Sequence, residues 1–347
     1  IAIANALKQL LPEPEILFVG AKGRMEMQKV PRAGYPIQGI WISGFQRKLT
    51  LKNLLFPVKL VVSMIAAGRI IRRFKPDVVI GTGGYASGPA LKAAARKHIP
   101  TLILEQNSFP GVTNRLLATQ ADCICVAHQG MERYFPRHKI VLTGNPVREY
   151  VVQISGKREE ALAYFGLSDT KTTLLVIGGS QGALSINQAM AAQMDAFTKE
   201  DIQVLWQTGS PFFDRAKELV EGRFSDQVHV HVFIERMDLA YAAADVVVSR
   251  AGAIAISELC LVKKPVILIP LPHAAEDHQT KNAMKLVDNN AARMIRDEDL
   301  VRSFAGTVID LIKNKEQQKI LSEQIGKMGS ADAAVRIARE AIRLMKD

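Results

Sequence analysis

Nine short apolar runs, alternating with helical patterns along 347 residues, restrict this chain to one kind of architecture. They are EILFVG (15–20), DVVIG (77–81), TLILEQ (101–106), CICVA (123–127), TLLVIGG (173–179), VLWQTG (204–209), VHVHVF (228–233), DVVVSR (245–250) and PVILIP (265–270). Alternation of this kind builds βαβ units, and so parallel sheets with helices on both faces. The polar stretch QISGKREE (153–160), following GNPVRE (144–149), interrupts the series and reads as a domain junction. Each side then carries its own sheet. The expected fold class is α/β, with Rossmann-like domains over 1–147 and 148–329. The closing helical pattern in 330–347 is expected to pack back toward the first domain.

Charge separates the halves. Residues 1–150 hold 21 Lys+Arg against 8 Asp+Glu, a net +13, whereas 151–347 hold 24 against 26, a net −2. The whole basic excess lies in the first half, which therefore expects an anionic partner, either a nucleic acid or an anionic membrane surface. Three cysteines do not make a disulfide framework. Cys123 and Cys125 sit two apart in a strand pattern and point to one face; with no His or second pair nearby, they read as buried thiols. The opening IAIANALKQL reads as the middle of a helix, so a strand and a turn are expected ahead of it.

Residues 51–73, LKNLLFPVKLVVSMIAAGRIIRR, are interrupted by Pro57 and Lys59 well short of the roughly 20 apolar residues a membrane span needs. Two readings remain open. The segment is a helix buried against the sheet, or part of it and the preceding loop GFQRKLT (44–50) meet lipid. In the second case Lys48, Lys52, Arg69, Arg72 and Arg73 lie near headgroups.

Three glycine turns follow strand patterns. DVVIGTGGYASGP (77–89) contains G-x-G-x-x-A from Gly81 to Ala86, and Glu105 ends the next strand, which together fit a dinucleotide site with the carboxylate on a ribose diol. The turn continues through Ser87, Gly88 and Pro89, so the helix is expected to start near Pro89. LLVIGGSQGALSIN (174–187) is a strand–turn–helix without the G-K-[ST] of a P-loop. Its amides, with the Ser180 hydroxyl, suit an anion. DVVVSRAGAIAISELC (245–260) lets Gly252 open a helix whose free amides lie at Ala253 to Ala255. Glu258, further along that helix, can clamp two adjacent ribose hydroxyls, and its apolar flanks make an unpartnered carboxylate costly. The loop after PVILIP gathers His273, Glu276, Asp277, His278 and Gln279, which suit a polyhydroxyl ligand better than a metal.

Taken in order, IGTGGYASGP, LEQNSFPGVTNR, TGNPVR, VIGGSQGA, SRAGAIAISE and AEDHQTKNA resemble the MurG family of peptidoglycan N-acetylglucosaminyltransferases, along the whole chain. The resemblance implies a GT-B fold, two Rossmann-like domains facing across a cleft. It implies an inverting hexosyltransferase that moves N-acetylglucosamine from UDP-GlcNAc to the C4 hydroxyl of lipid I, making lipid II. The enzyme would be peripheral on the cytoplasmic face of the inner membrane, which the basic first domain would contact, and would use no nucleic acid, cofactor or metal.

Carried over by motif, Ser180 would meet phosphate and Ile234 of VFIERM would offer backbone to uracil. Ala253, Ile254, Ala255, Ile256, Ser257 and Glu258 would run from pyrophosphate to ribose, and Gln279 would bind sugar hydroxyls. Arg148 and Asn107 would contribute to the donor from the hinge and the first domain. Tyr85, Gly83 and Gly84 would lie on the acceptor side. The family's G-G-T-G-G-H loop, with the His often proposed as general base, would precede Ile1, so the catalytic base is unassigned. Ala255 stands where family members often carry a hydroxyl, which leaves phosphate binding there to amides. No D-x-D motif is evident, and helix N-termini would meet the charge growing on UDP. The rival enzyme is an NAD-dependent oxidoreductase using Gly81–Ala86 and Glu105. The rival non-enzyme, a nucleic-acid-binding module, lacks aromatics placed to stack on bases.

Overall fold

Two units divide the chain, Ile1–Pro146 with Asp332–Asp347, and Val147–Ala331. The computed structural model describes residues 1–43, 55–272, 274 and 277–346. The loop GFQRKLT with Lys48, and also Lys52, His273 and Glu276, lie outside the described residues.

In the first unit β1 (Phe18–Ala21) and β2 (Ile37–Ile40) form a parallel pair. A second parallel sheet runs β3 (Val79–Gly81), β4 (Thr101–Glu105), β5 (Cys123–Val126) and β6 (Ile140–Leu142), in that order. β4 and β5 are buried at every residue, because parallel strands are covered on both faces. Their side chains alternate accordingly. Leu102, Leu104, Cys123 and Cys125 pack under the helices Ala2–Leu10 and Ala333–Leu344, whereas Ile103, Ile124 and Val126 pack against Leu91, Leu117 and Phe135. All three cysteines are free and buried.

The second unit is a six-stranded parallel sheet built from β7 (Thr172–Ile177), β8 (Ile202–Gln207), β9 (Val228–His231), β10 (Val246–Arg250), β11 (Val266–Ile269) and β12 (Arg293–Met294). The strand order is β12-β11-β10-β7-β8-β9. Counted from the unit's own first strand this is the doubly wound order 3-2-1-4-5-6, which reverses direction between β7 and β10. Those two strands pair from Val246↔Leu174 to Ser249↔Ile177, so the loops leaving their carboxyl ends flank one crevice.

Three strands carry too little pattern to be read from sequence. β2, β6 and β12 are two to four residues long and lie at sheet edges, where burial demands fewer apolar residues. The first glycine turn also departs from expectation. Its helix, Gly84–Ala95, starts on the glycines and not near Pro89. Gly83 and Gly84 take φ of +89° and +76°, which turns the chain sharply enough to begin the helix there. Pro89 is then inside the helix, where it forfeits one backbone donor.

The apolar segment 51–73 yields the helix Phe56–Phe74, and it is not buried against a sheet along its length. It buries only Ser63, Ala67 and Ile71, a one-residue-wide stripe at helical spacing. Val58, Val61, Val62 and Ile65 stay exposed, Val61 at 59%.

Candidate functional site

The loop after β7 is shaped by what touches it. Gly178 admits no side chain, since a Cβ would stand 2.4 Å from the Ala183 nitrogen. Gly179 and Gly182 have φ of +88° and +75°. The turn leads into the helix Leu184–Lys199, and Ser180 stands exposed at its tip. Gln207, at the end of β8 and 4% exposed, ties this turn to a second segment. Its Nε2 donates to the Gly179 carbonyl at 3.0 Å, and its Oε1 accepts from the Ile234 amide at 2.8 Å. Ile234 therefore spends its N–H internally, and the backbone group it can offer a base is its carbonyl.

Across the crevice, Gly252 caps the helix Ala253–Val262 in an extended conformation. The first helical bond is Ile256 N–H to the Gly252 carbonyl, at 2.9 Å, so the amides of Ala253, Ile254 and Ala255 precede the ladder. Amides so placed at a helix N-terminus are the kind of donors that suit an anion. Ser257 turns its hydroxyl back to the Ala253 carbonyl at 2.9 Å.

Glu258 is 7% exposed and has two partners. The Tyr241 hydroxyl donates to its Oε2 at 3.2 Å, and Arg148 Nη2 lies 3.6 Å from its Oε1. Burial pushes the Glu258 carboxyl above the usual range, against the opposing pull of Arg148 and Tyr241. Tyr241 is driven well above the ordinary tyrosine range by complete burial, then by the Glu258 charge. Arg148 also donates to the Tyr150 hydroxyl at 2.9 Å and keeps nearly half of its side chain in solvent. Gln279, in the first turn of the helix His278–Val287, accepts from the Leu271 amide at 2.9 Å and so closes the loop between β11 and that helix.

Arg250, at the end of β10, braces the floor of this region. It donates to the carbonyls of Ile269 and Pro270, at 3.2 and 3.0 Å, and to Ser185 Oγ at 2.8 Å, and it pairs with Asp297. A charge at the end of an apolar strand must find such partners or stay out of the interior. Tyr241, Gln207 and Arg250 escape sequence reading as site residues. For Gln207 and Arg250 the available signal is a polar residue terminating an otherwise apolar strand.

The second unit thus holds Arg148, Ser180, Ile234, the run Ala253–Glu258 and Gln279. The first unit holds Tyr85, Gly83, Gly84 and Asn107. Tyr85 is 53% exposed beside the Gly83–Gly84 turn. Asn107 is folded onto Glu105, giving its backbone N–H and its Nδ2 to Glu105 Oε1 at 3.0 and 3.2 Å.

This arrangement overturns the dinucleotide reading of Glu105. Its other oxygen accepts from the Gly111 amide and from Asn114 Nδ2, at 3.0 and 2.8 Å. The side chain, 2% exposed, is a structural clasp for the loop 106–114 and has no face left for a ribose. Among the described residues no three His, Cys, Asp or Glu side chains converge as metal ligands.

Residues 1–126 match the glycosyltransferase family 28 N-terminal domain, and residues 173–337 match the family's C-terminal domain. A Phocaeicola vulgatus protein, named UDP-N-acetylglucosamine–N-acetylmuramyl-(pentapeptide) pyrophosphoryl-undecaprenol N-acetylglucosamine transferase, is 50% identical over 345 residues, 99% of this chain and 92% of that one. A Flavobacterium psychrophilum protein of the same name is 48% identical, covering 100% of this chain and 94% of its own. The crystal structure of Acinetobacter baumannii MurG superposes with a TM-score of 0.76 at 25% identity, over 99% of this chain and 94% of that one.

Proposed function

The chain belongs to glycosyltransferase family 28, and we propose that it transfers N-acetylglucosamine from UDP-N-acetylglucosamine to N-acetylmuramyl-(pentapeptide) pyrophosphoryl-undecaprenol. It is a hexosyltransferase of peptidoglycan synthesis, and its two parallel-sheet α/β units are those of a GT-B glycosyltransferase. The observation that carries the donor assignment lies in the second unit. At the crevice between β7 and β10, a helix end whose first three amides have no hydrogen-bond partner among the described residues is followed on the same helix by a buried carboxylate. A nucleoside diphosphate has the matching parts, an anion followed by a vicinal diol.

In this reading Ser180 and the amides of Ala253 to Ala255 hold the diphosphate. Ile256 and Ser257 continue the helix to Glu258, which accepts from both ribose hydroxyls. The Ile234 carbonyl receives the uracil N3–H, Gln279 receives sugar hydroxyls, and Arg148 and Asn107 add polar contacts. Tyr85, Gly83 and Gly84 face the acceptor. As the sugar–phosphate bond breaks, further negative charge grows on the already anionic diphosphate, and the aligned helix dipole with its amides stabilises that departing UDP more than the less highly charged ground state. The acceptor hydroxyl must lose a proton to a general base in the same step.

The acceptor is a lipid, and the helix Phe56–Phe74 supplies a docking face for its membrane. Val58, Val61, Val62 and Ile65 form an exposed apolar strip, Trp41 is 43% exposed, and Lys59 stands over the Trp41 ring at 5.4 Å. Arg69, Arg72 and Arg73 follow on the same helix. Among the described residues no helix is long and apolar enough to cross a bilayer. An apolar strip with flanking cations suits an anionic leaflet, and the proposed location is peripheral, at the cytoplasmic face of the inner membrane.

Calorimetry with UDP-N-acetylglucosamine and with NADH tests the donor, and transfer of labelled sugar to the lipid-linked acceptor tests the reaction. Saturable binding of the sugar nucleotide and none of NADH is the expected result. NADH binding without sugar-nucleotide binding would overturn it.

A further inference from the structure

Tyr241 lies on the helix Met237–Ala243 and is completely buried. A phenylalanine would fill the same volume without placing a hydroxyl where it must find a partner or cost stability. The partner it finds is the Glu258 carboxylate. Two buried polar groups facing each other contribute little net stability compared with apolar packing, so the pair calls for another explanation.

The geometry supplies one. Tyr241 reaches Glu258 Oε2 from the core side, while Arg148 faces Oε1 from the solvent side, from the segment ahead of the helix Glu149–Val152. Among the described residues these are the ionisable groups that act on the carboxyl. The helix Lys315–Lys327, packed on Glu258's own helix Ala253–Val262, contributes the apolar Ile325 to the core they share. A carboxylate rotating freely about its last torsion could not offer both oxygens to neighbouring hydroxyls at once. One pinned by an interior donor holds a fixed plane, and with about four lone-pair sites it can accept from Tyr241 and from a diol together.

We infer that Tyr241 is a positioning residue for the sugar-nucleotide donor: its buried hydroxyl fixes the Glu258 carboxylate, in ionised form, to receive a vicinal diol. This rests on the donor reading above and adds the group that makes Glu258 selective. A hydrogen bond donated to the charged form favours that form, so Tyr241 opposes the effect of burial on Glu258.

The test measures UDP and 2′-deoxy-UDP affinity by calorimetry across a range of pH, in wild type, Tyr241→Phe, Glu258→Gln and the double variant. Loss of a hydrogen bond to a charged group lowers affinity by roughly tenfold or more, so Tyr241→Phe is expected to weaken UDP by about that factor. It should weaken 2′-deoxy-UDP much less, and the acid limb of UDP binding should move to higher pH. The double variant should match Glu258→Gln. A merely structural tyrosine would weaken both nucleotides alike and leave the acid limb in place, and that result overturns the role. Should Tyr241→Phe not fold, 3-fluorotyrosine at position 241 keeps the hydroxyl and makes it a stronger donor. The acid limb should then move to lower pH, and an unmoved limb overturns the proposal. Failure of wild type to bind UDP at any pH would overturn the donor reading itself, and this role with it. UDP binding with equal discrimination in wild type and Tyr241→Phe overturns this role alone.

Discussion

A Cβ placed on Gly182 would stand 1.9 Å from the carbonyl oxygen of Thr208. The contact is reciprocal, since a Cβ on Gly209 would stand 2.3 Å from the Gln181 carbonyl oxygen, and both glycines have φ of +75°. The chain leaving β7 and the chain leaving β8 therefore touch backbone to backbone, which fixes the turn that carries Ser180. Gly179 has a similar φ of +88° but open space where a Cβ would go. Gly179→Ala should cost only the backbone strain, about 1–2 kcal/mol, and Gly182→Ala should cost that strain plus a displaced strand end, roughly 3 kcal/mol or more. Urea denaturation of the two variants measures the difference. Gly182→Ala should also lose UDP binding, because the turn must move. Equal destabilisation by the two would refute the close-approach account.

Glu258→Gln should weaken UDP binding at neutral pH, because an amide offers one acceptor oxygen where the carboxylate offers two. The variant should nevertheless gain stability there. Burial raises the Glu258 carboxyl above its unfolded value, so its protonated form is favoured in the native state. That contribution is fully present below the unfolded value and is lost as pH rises through the raised folded value. Wild type therefore carries a buried charge at neutral pH that Gln does not. Melting temperatures should favour the variant at neutral pH and converge in acid. A stability loss at neutral pH would contradict this prediction.

The long buried strands and the glycine turns were legible because burial and tight turning restrict the residue types that fit. β4, β7 and β10 announce themselves by uninterrupted apolar runs, and the turn after β7 by Gly178, Gly179 and Gly182, whose close approach or positive φ other residues cannot follow. What sequence could not supply was the use of polar side chains across long chain separations. Glu105 fits the acidic position of a dinucleotide fingerprint, yet its carboxylate is consumed by Asn107, Gly111 and Asn114. Tyr241 sits in a run of small apolar residues and reads as core until its hydroxyl is seen to meet Glu258. The helix Phe56–Phe74 is ambiguous for the opposite reason. Its composition fits burial, and only the narrowness of the stripe that packs shows its other side to be open.

His229 and His231 stand on the edge strand β9, and burial lowers both below the ordinary histidine range, His231 being lowered further by His229. His229 Nε2 is buried with no hydrogen-bond partner among the described residues. A depressed folded value means that the unfolded chain binds protons first as the solution is acidified. Stability is thus present above the unfolded value and is lost as pH falls through it toward the folded values. Thermal melts should show a decline between about pH 7 and pH 5 that flattens in the His229→Gln, His231→Gln double variant. Parallel curves for the two proteins would exclude the histidines as its source.

The last prediction separates membrane docking from donor binding. Val61 and Ile65 lie one turn apart on the helix Phe56–Phe74, both more than half exposed. Seating each in a lipid interface removes an aliphatic side chain from water, worth about 1.5–3 kcal/mol when complete. Replacing both with glutamate removes that gain and adds repulsion from anionic headgroups, so partitioning onto vesicles of anionic lipid should drop about a hundredfold or more. UDP affinity should not change, since both positions belong to the first unit and the donor residues that contact UDP are proposed mainly in the second. Sedimentation with anionic and with neutral vesicles, at low and high salt, resolves the two contributions. The apolar part should persist in salt, whereas the part due to Lys59, Arg69, Arg72 and Arg73 should fade as the Debye length shortens. Undiminished sedimentation of the Val61→Glu, Ile65→Glu protein would show that this helix is not the docking face.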